Sequence, residues 1–228
     1  MKIHTNISDS PQTPYAPKWN FSIGSEILPI NLEKLSKTCL EKEKEILKTP
    51  VEYFTDLNGN KKLFDGFTGL GKNSTTSRSP STSVFGWDTP EINSLKKNIR
   101  RCVIDYNRKL KNTIPEQLWV HCWVNVLRFG QKIKPHLHAV RGYSYLSAHF
   151  TVQCNNTSTC FINPVNVFND PEIIERKNEA GKLTIFPSYL PHYTTRHYSF
   201  KPRITLAMDI TCVDNQVLDY PEGFWILL

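Results

Sequence analysis

Histidines carry most of the chemistry that this chain can do; there are seven, at positions 4, 121, 136, 138, 149, 192 and 197. Two stand apart by spacing. In K-P-H-L-H, His136 and His138 sit at i and i+2 of an extended segment, and such residues point to the same face. Two imidazoles can then converge on one ion, about 2.0–2.2 Å from each nitrogen. The pair alone is a common accident of sequence, and it gains weight from His192, which follows the proline-bracketed turn F-P-S-Y-L-P that presents it rigidly. Three neutral imidazoles make a facial set that leaves other positions on a metal open. Arg203 then opens the run R-I-T-L-A-M-D. A period of two puts Arg203 and Thr205 on one side and Ile204, Leu206 and Met208 on the other, and a guanidinium beside a hydroxyl suits a carboxylate. The remaining histidines read as ordinary: His4 in an arm, His121 and His149 as hydrogen-bonded strand residues, His197 in a polar strand tail.

These side chains must be held by strands. From Leu118 the sequence L-W-V-H-C-W-V-N-V-L alternates, with Val120, Cys122, Val124 and Val126 on one face and Trp119, His121, Trp123 and Asn125 on the other. Strand-like runs follow at Tyr143–Gln153, Thr159–Asn163, Lys182–Pro187, His192–Tyr198 and Arg203–Val213, separated by turn-rich stretches. Short strands at regular spacing predict a β-sandwich or barrel over residues 118–213. Upstream, Asn31 predicts the cap of a helix with Leu32, Leu35, Cys39, Ile46 and Leu47 on its apolar stripe. Thr89 and Pro90 open a second helix, with Ile92, Leu95, Ile99, Val103, Tyr106 and Leu110 on one face and a basic back. Between them, residues 55–88 show no period and read as a long loop or short strands. Part of it, residues 65–83, can close over the barrel mouth. The organisation expected is an extended arm over 1–30, a helical and loop extension over 31–117, the barrel over 118–213 and a tail over 214–228.

Composition narrows the class. Of the 228 residues 39% are hydrophobic, with 12 Phe, 9 Tyr and 5 Trp, enough for a real core. No run approaches the roughly 20 apolar residues of a spanning helix, and the start lacks the apolar stretch of a secretory signal. Six cysteines without a C-x-x-C pair predict reduced thiols and a cytoplasmic setting, with one bridge, Cys154 to Cys160, left open. The net charge of +7 favours an anionic ligand without identifying one. The segment G-L-G-K-N-S-T lacks the spacing of a phosphate loop.

The order H-x-H, then G-K-L-T-I-F-P-S-Y-L-P-H, then R-I-T resembles the 2-oxoglutarate/iron(II)-dependent oxygenases. Within them it is most similar to the 2-oxoglutarate oxygenases of phages and aquatic bacteria and to the prolyl-hydroxylase-like group. The resemblance spans residues 118–211 and is carried also by W-V-N-V-L-R-F-G-Q-K-I-K-P-H-L-H, G-Y-S-Y-L and F-I-N-P. It implies a double-stranded β-helix, a jelly-roll or cupin-like barrel, in a mainly β protein with N-terminal helices. It implies Fe(II) held by His136, His138 and His192, with His138 where many members carry an acid. It also implies 2-oxoglutarate bound by Arg203 and Thr205, with Tyr145 and Asn125 lining its pocket. The expected reaction is hydroxylation by O2, coupled to decarboxylation of 2-oxoglutarate, of a peptide side chain or a small molecule.

Two other readings use the same residues. A cupin-type three-histidine metal enzyme fits Gly130 and His136-x-His138, but A-V-R-G-Y-S-Y lacks the acid of that motif. A non-catalytic nucleic-acid binder fits the basic helix. The nucleic-acid-repair oxygenases carry a second Arg six residues after the first, where this chain has Asp209.

Overall fold

Two strands open the chain, β1 (Lys2–Ile7) and β2 (Asn20–Ile27), followed by α1 (Leu32–Ile46) and a hairpin of β3 (Tyr53–Thr55) and β4 (Lys61–Leu63). After α2 (Pro90–Lys109) come β5 (Trp119–Leu127), β6 (Leu146–Gln153), β7 (Ser158–Ile162) and β8 (Ile173–Lys177). The chain continues with β9 (Lys182–Pro187), β10 (His192–Thr194), β11 (Arg203–Thr211) and β12 (Ile226–Leu227). The computed structural model describes residues 1–7, 20–138, 144–163, 172–213 and 223–228. Pro11, Pro14 and Pro17, Tyr143, residues 164–171 and most of the segment 214–228 lie outside the described residues.

Seven antiparallel strands form one sheet in the order β1-β2-β9-β6-β11-β5-β12, and β10-β7-β8 form a second. This is the double-stranded β-helix, mainly β with helices at its N-terminal side. Directly paired residues share a face, so the registers Thr205↔Asn125, Ala207↔Trp123 and Asp209↔His121 carry one polar row across β11 and β5. On β6 the same row continues through Thr151, His149 and Ser147, with a register shift between Ile204 and Thr205. The opposite face carries Val120, Cys122, Val124, Leu206, Met208 and Phe150, all buried with the helices. A smaller core of Phe21, Ile23, Phe161, Ile174, Phe186 and Leu190 lies between the two sheets.

Both helix starts are as expected. Asn31 accepts from the Lys34 amide at 3.1 Å and Thr89 from the Ile92 amide at 3.3 Å, each satisfying an otherwise orphaned donor. Ile92, Leu95, Ile99 and Val103 are fully buried against the sheet, and each such aliphatic side chain stabilises the fold by roughly 1.5–3 kcal/mol. Tyr106 reaches from α2 to the Ser22 carbonyl of β2 at 2.8 Å. Gly24 makes that approach feasible, since a Cβ there would lie 2.8 Å from the Tyr106 ring.

The first expectation to change is the arm. Lys2–Ile7 and Asn20–Ile27 pair with each other, and β2 extends the main sheet through β9. The loop over 55–88 divides into the β3–β4 hairpin and a 3-10 helix at Thr75–Ser81. Arg78 holds that helix in place by donating to the carbonyls of Thr49 (2.9 Å), Lys72 (2.7 Å) and Ser74 (2.9 Å). All six cysteines are unpaired, Cys154 and Cys160 included. Among the described residues no helix is long and apolar enough to cross a membrane. The basic back of α2 is partly neutralised where Arg101 pairs with Glu26, and Arg100 donates to the Leu228 carbonyl at 3.0 Å.

Candidate active site

The segment carrying His136 and His138 runs antiparallel to the segment carrying His192. His136 and His192 exchange backbone hydrogen bonds at 3.0 and 2.9 Å, and the His138 amide donates to the Ser188 carbonyl at 3.1 Å. The turn Ser188–Pro191 therefore delivers His192 opposite His136, and the i, i+2 spacing adds His138 on the same face. One ring nitrogen from each lies within 4.8 Å of the others, close enough to share one cation.

Hydrogen bonds decide which nitrogens are available. His136 Nδ1 lies 2.9 Å from the Lys134 carbonyl, and His192 Nδ1 lies 3.0 Å from the Leu190 carbonyl. A carbonyl only accepts, so both rings carry their proton on Nδ1 and keep the Nε2 lone pair free. His138 Nδ1 is 2.7 Å from the Asp209 carboxylate, with the same consequence. Burial, reinforced by the neighbouring His138, lowers the pKa of His136 to about 4, and burial also holds His192 well below the ordinary imidazole value. Both are neutral at physiological pH, the state in which an imidazole ligates a metal. The donor set fits a divalent ion that accepts nitrogen ligands.

The same cavity, about 740 Å³, is lined by Arg203, Thr205 and Asn125. Arg203 is 1% exposed, and desolvation lowers its pKa to about 10, so it remains cationic. Among the described residues its Nε and Nη1 have no hydrogen-bond partner, nor do Thr205 Oγ1, Thr151 Oγ1 and His149 Nδ1. Buried polar atoms are rarely left so. A guanidinium with neighbouring unpaired hydroxyls fits an anionic, oxygen-rich group such as the distal carboxylate of a diacid.

Asn125 faces this cavity and accepts from Thr76 Oγ1 at 2.7 Å. Tyr145 also lines it, but its hydroxyl donates to Asn107 on α2 at 2.6 Å and is directed away from a cavity ligand. The segment 65–83 borders the cavity through Gly66, Phe67, Thr68, Thr76, Ser79 and Pro80. Its Thr75–Ser81 part is bonded to β5 through Thr75 and Thr76, which makes it a fixed wall. From the sequence His149 reads as an ordinary strand residue, and Asp209 only as the place where the nucleic-acid-repair oxygenases carry a second Arg. The cavity-facing parity of both was already visible in the alternation of β6 and β11.

Residues 121–209 match the family described as "Putative 2OG-Fe(II) oxygenase". No curated protein matches the sequence. Among solved structures, a prolyl-4-hydroxylase of Pseudomonas putida is 13% identical, covers 83% of this chain and 91% of its own, and superposes with a TM-score of 0.53. A prolyl hydroxylase of Trichoplax adhaerens, in complex with a hypoxia inducible factor peptide fragment, is 12% identical over 88% of this chain and 87% of its own, with a TM-score of 0.51. A non-heme α-ketoglutarate-dependent carbocyclase of nogalamycin biosynthesis, SnoK, is 11% identical over 91% of both chains, with a TM-score of 0.54. At such identities the likeness speaks for the fold.

Proposed function

We propose that this chain, whose residues 121–209 match the 2OG-Fe(II) oxygenase family, is a working 2-oxoglutarate- and Fe(II)-dependent hydroxylase. The metal is held by Nε2 of His136, His138 and His192, and 2-oxoglutarate is anchored through its distal carboxylate by Arg203 and Thr205. When bound, iron and 2-oxoglutarate supply the activation of O2 and the oxidising power for hydroxylation. The chain's own part is to orient and shelter. Backbone carbonyls aim His136 and His192, and the Arg203 fork sets the direction of the diacid. Asn125 borders that pocket from β5, while Tyr145 contributes its ring to the wall. The primary substrate is a peptide side chain or a small molecule, admitted past the exposed Leu57, Phe67 and Leu137 of the rim. Six unpaired thiols accord with a cytoplasmic setting.

One observation carries this reading: the imidazole cluster and the unpartnered Arg203 share a single cavity. The nucleic-acid reading gives Arg203 no such task; in the cupin-type reading Arg203 would grip a substrate carboxylate instead, and turnover that depends on 2-oxoglutarate separates the two. Purified protein incubated with Fe(II), O2 and 2-oxoglutarate is expected to form succinate, slowly without a primary substrate and faster with one. Absence of succinate across a peptide and metabolite panel would count against the proposal.

A further inference from the structure

The three imidazoles are held from behind by unlike partners. His136 and His192 each meet a neutral backbone carbonyl, whereas His138 meets the carboxylate Oδ1 of Asp209 at 2.7 Å. Asp209 reaches it from β11, where the alternation that begins at Arg203 places it on the cavity face opposite His121 and Ser147. Ser147 Oγ donates to the same carboxylate oxygen at 3.4 Å, and the Trp123 ring lies against the His138 ring, centroids 5.7 Å apart. The pair is thus fixed on two sides. Three neutral imidazoles alone would leave a divalent ion with its whole double charge among largely buried side chains, where charge is costly.

Building on the ligand set proposed above, we propose that Asp209 is a positioning residue for the metal. It pins the proton of His138 on Nδ1, aims Nε2 at the ion, and supplies through the imidazole the negative charge that the three-histidine set lacks. A carboxylate behind a ligating histidine raises the ring's donor strength and fixes its orientation. The His138–Asp209 pair acts as one anionic ligand whose charge sits an imidazole away from the metal. His136 and His192, backed by neutral carbonyls, are weaker donors of the same geometry.

The test is a Co(II) titration of the full chain at neutral pH, followed by visible absorption, with circular dichroism melts to show that each variant is folded. Asp209→Asn keeps a hydrogen-bond acceptor and removes the charge, and its Co(II) affinity is expected to fall about tenfold. Asp209→Ala removes both, and the expected loss is about a hundredfold. His138→Asp sets two carboxylates against each other and is expected to bind poorly. The double variant His138→Asp/Asp209→Asn, with one carboxylate directly on the metal, is expected to recover affinity over His138→Asp. A merely structural Asp209 would not yield that rescue. If Asp209→Ala titrates like the unmodified chain while His192→Ala loses binding, the inference fails and the ligand set stands. If His192→Ala binds as well as the unmodified chain, or the unmodified chain binds nothing, the ligand set itself falls and takes the inference with it.

Discussion

At one end of the cavity the Nδ1 atoms of His136, His138 and His192 each have an oxygen within 3.0 Å. At the other end Arg203, Thr205, Thr151 and His149 keep buried polar atoms without a partner among the described residues. Both ends are built from the same strands and the same period-two alternation, so the difference lies in what completes them. The imidazole end is oriented by the chain before any ligand arrives. The guanidinium end holds a desolvated charge at a cost of several kcal/mol, which an incoming anion offsets. In the proposed function, ring nitrogens oriented in advance at one end and unpaired donors at the other would have the metal bind first and the diacid second.

Removing a ligand should have the largest effect. His192→Ala is expected to weaken Fe(II) or Co(II) binding by about two to three orders of magnitude, taking roughly 3–4 kcal/mol per ligand from the totals of structural zinc sites. Equilibrium dialysis of the variant measures it. At the other end, Arg203→Met is expected to weaken 2-oxoglutarate binding by about a hundredfold or more, since each hydrogen bond to a charged group is worth roughly 1.5–3 kcal/mol. The same change removes an unpaired buried charge, so without cosubstrate its melting temperature should hold or rise, and only the upward shift on adding 2-oxoglutarate should vanish. A melting temperature that drops without cosubstrate would mean that Arg203 is a structural residue, and the contrast between the two ends would disappear.

Acid probes the cavity wall. Burial lowers the pKa of His121 to about 4 and that of His149 to about 3, from the ordinary value of 6.5. Both are neutral when folded and take up a proton in the unfolded chain once the pH falls below that value. Their contribution is therefore complete above about pH 6.5 and is lost progressively as the pH falls toward the folded values, by up to about 1.4 kcal/mol per pH unit for each ring. Urea midpoints should decline between about pH 7 and about pH 5, less steeply in His149→Asn; equal slopes in the two proteins would contradict this. The smallest effect belongs to Tyr145→Phe. It loses one hydrogen bond to Asn107 and about 1 kcal/mol of stability, with 2-oxoglutarate affinity essentially unchanged. A large loss of cosubstrate affinity would return the Tyr145 hydroxyl to the cavity.

Much of this arrangement could be read from the sequence, because it rests on local rules. Alternation alone put Asn125 and His121 on one face of β5 and Arg203 and Thr205 on one face of β11, and short polar side chains at Asn31 and Thr89 marked both helix starts. Other parts depended on distant partners. Lys2–Ile7 lies at the sheet edge with few apolar side chains, and Asn20–Ile27, one strand further in, buries Phe21 and Ile23 among polar neighbours, so their strand character comes from pairing with each other and with β9. The Thr75–Ser81 wall has no hydrophobic period; carbonyls of Thr49, Lys72 and Ser74 hold it through Arg78. The meeting of Asp209 with His138 joins the end of one strand to a segment far away in the chain, and no spacing rule encodes it. Nor could a sequence show that the Tyr145 hydroxyl turns toward α2.

In the proposed function one cavity holds a metal on three imidazoles and a diacid on Arg203 at the same time. Anaerobic addition of Fe(II) and then 2-oxoglutarate to the unmodified chain, followed by visible absorption, tests it in a single cuvette. A metal-to-ligand charge-transfer band that needs both additions, and is missing in His192→Ala and in Arg203→Ala, is the predicted result. A spectrum that stays featureless in the unmodified chain, or a band that survives both substitutions, would contradict it.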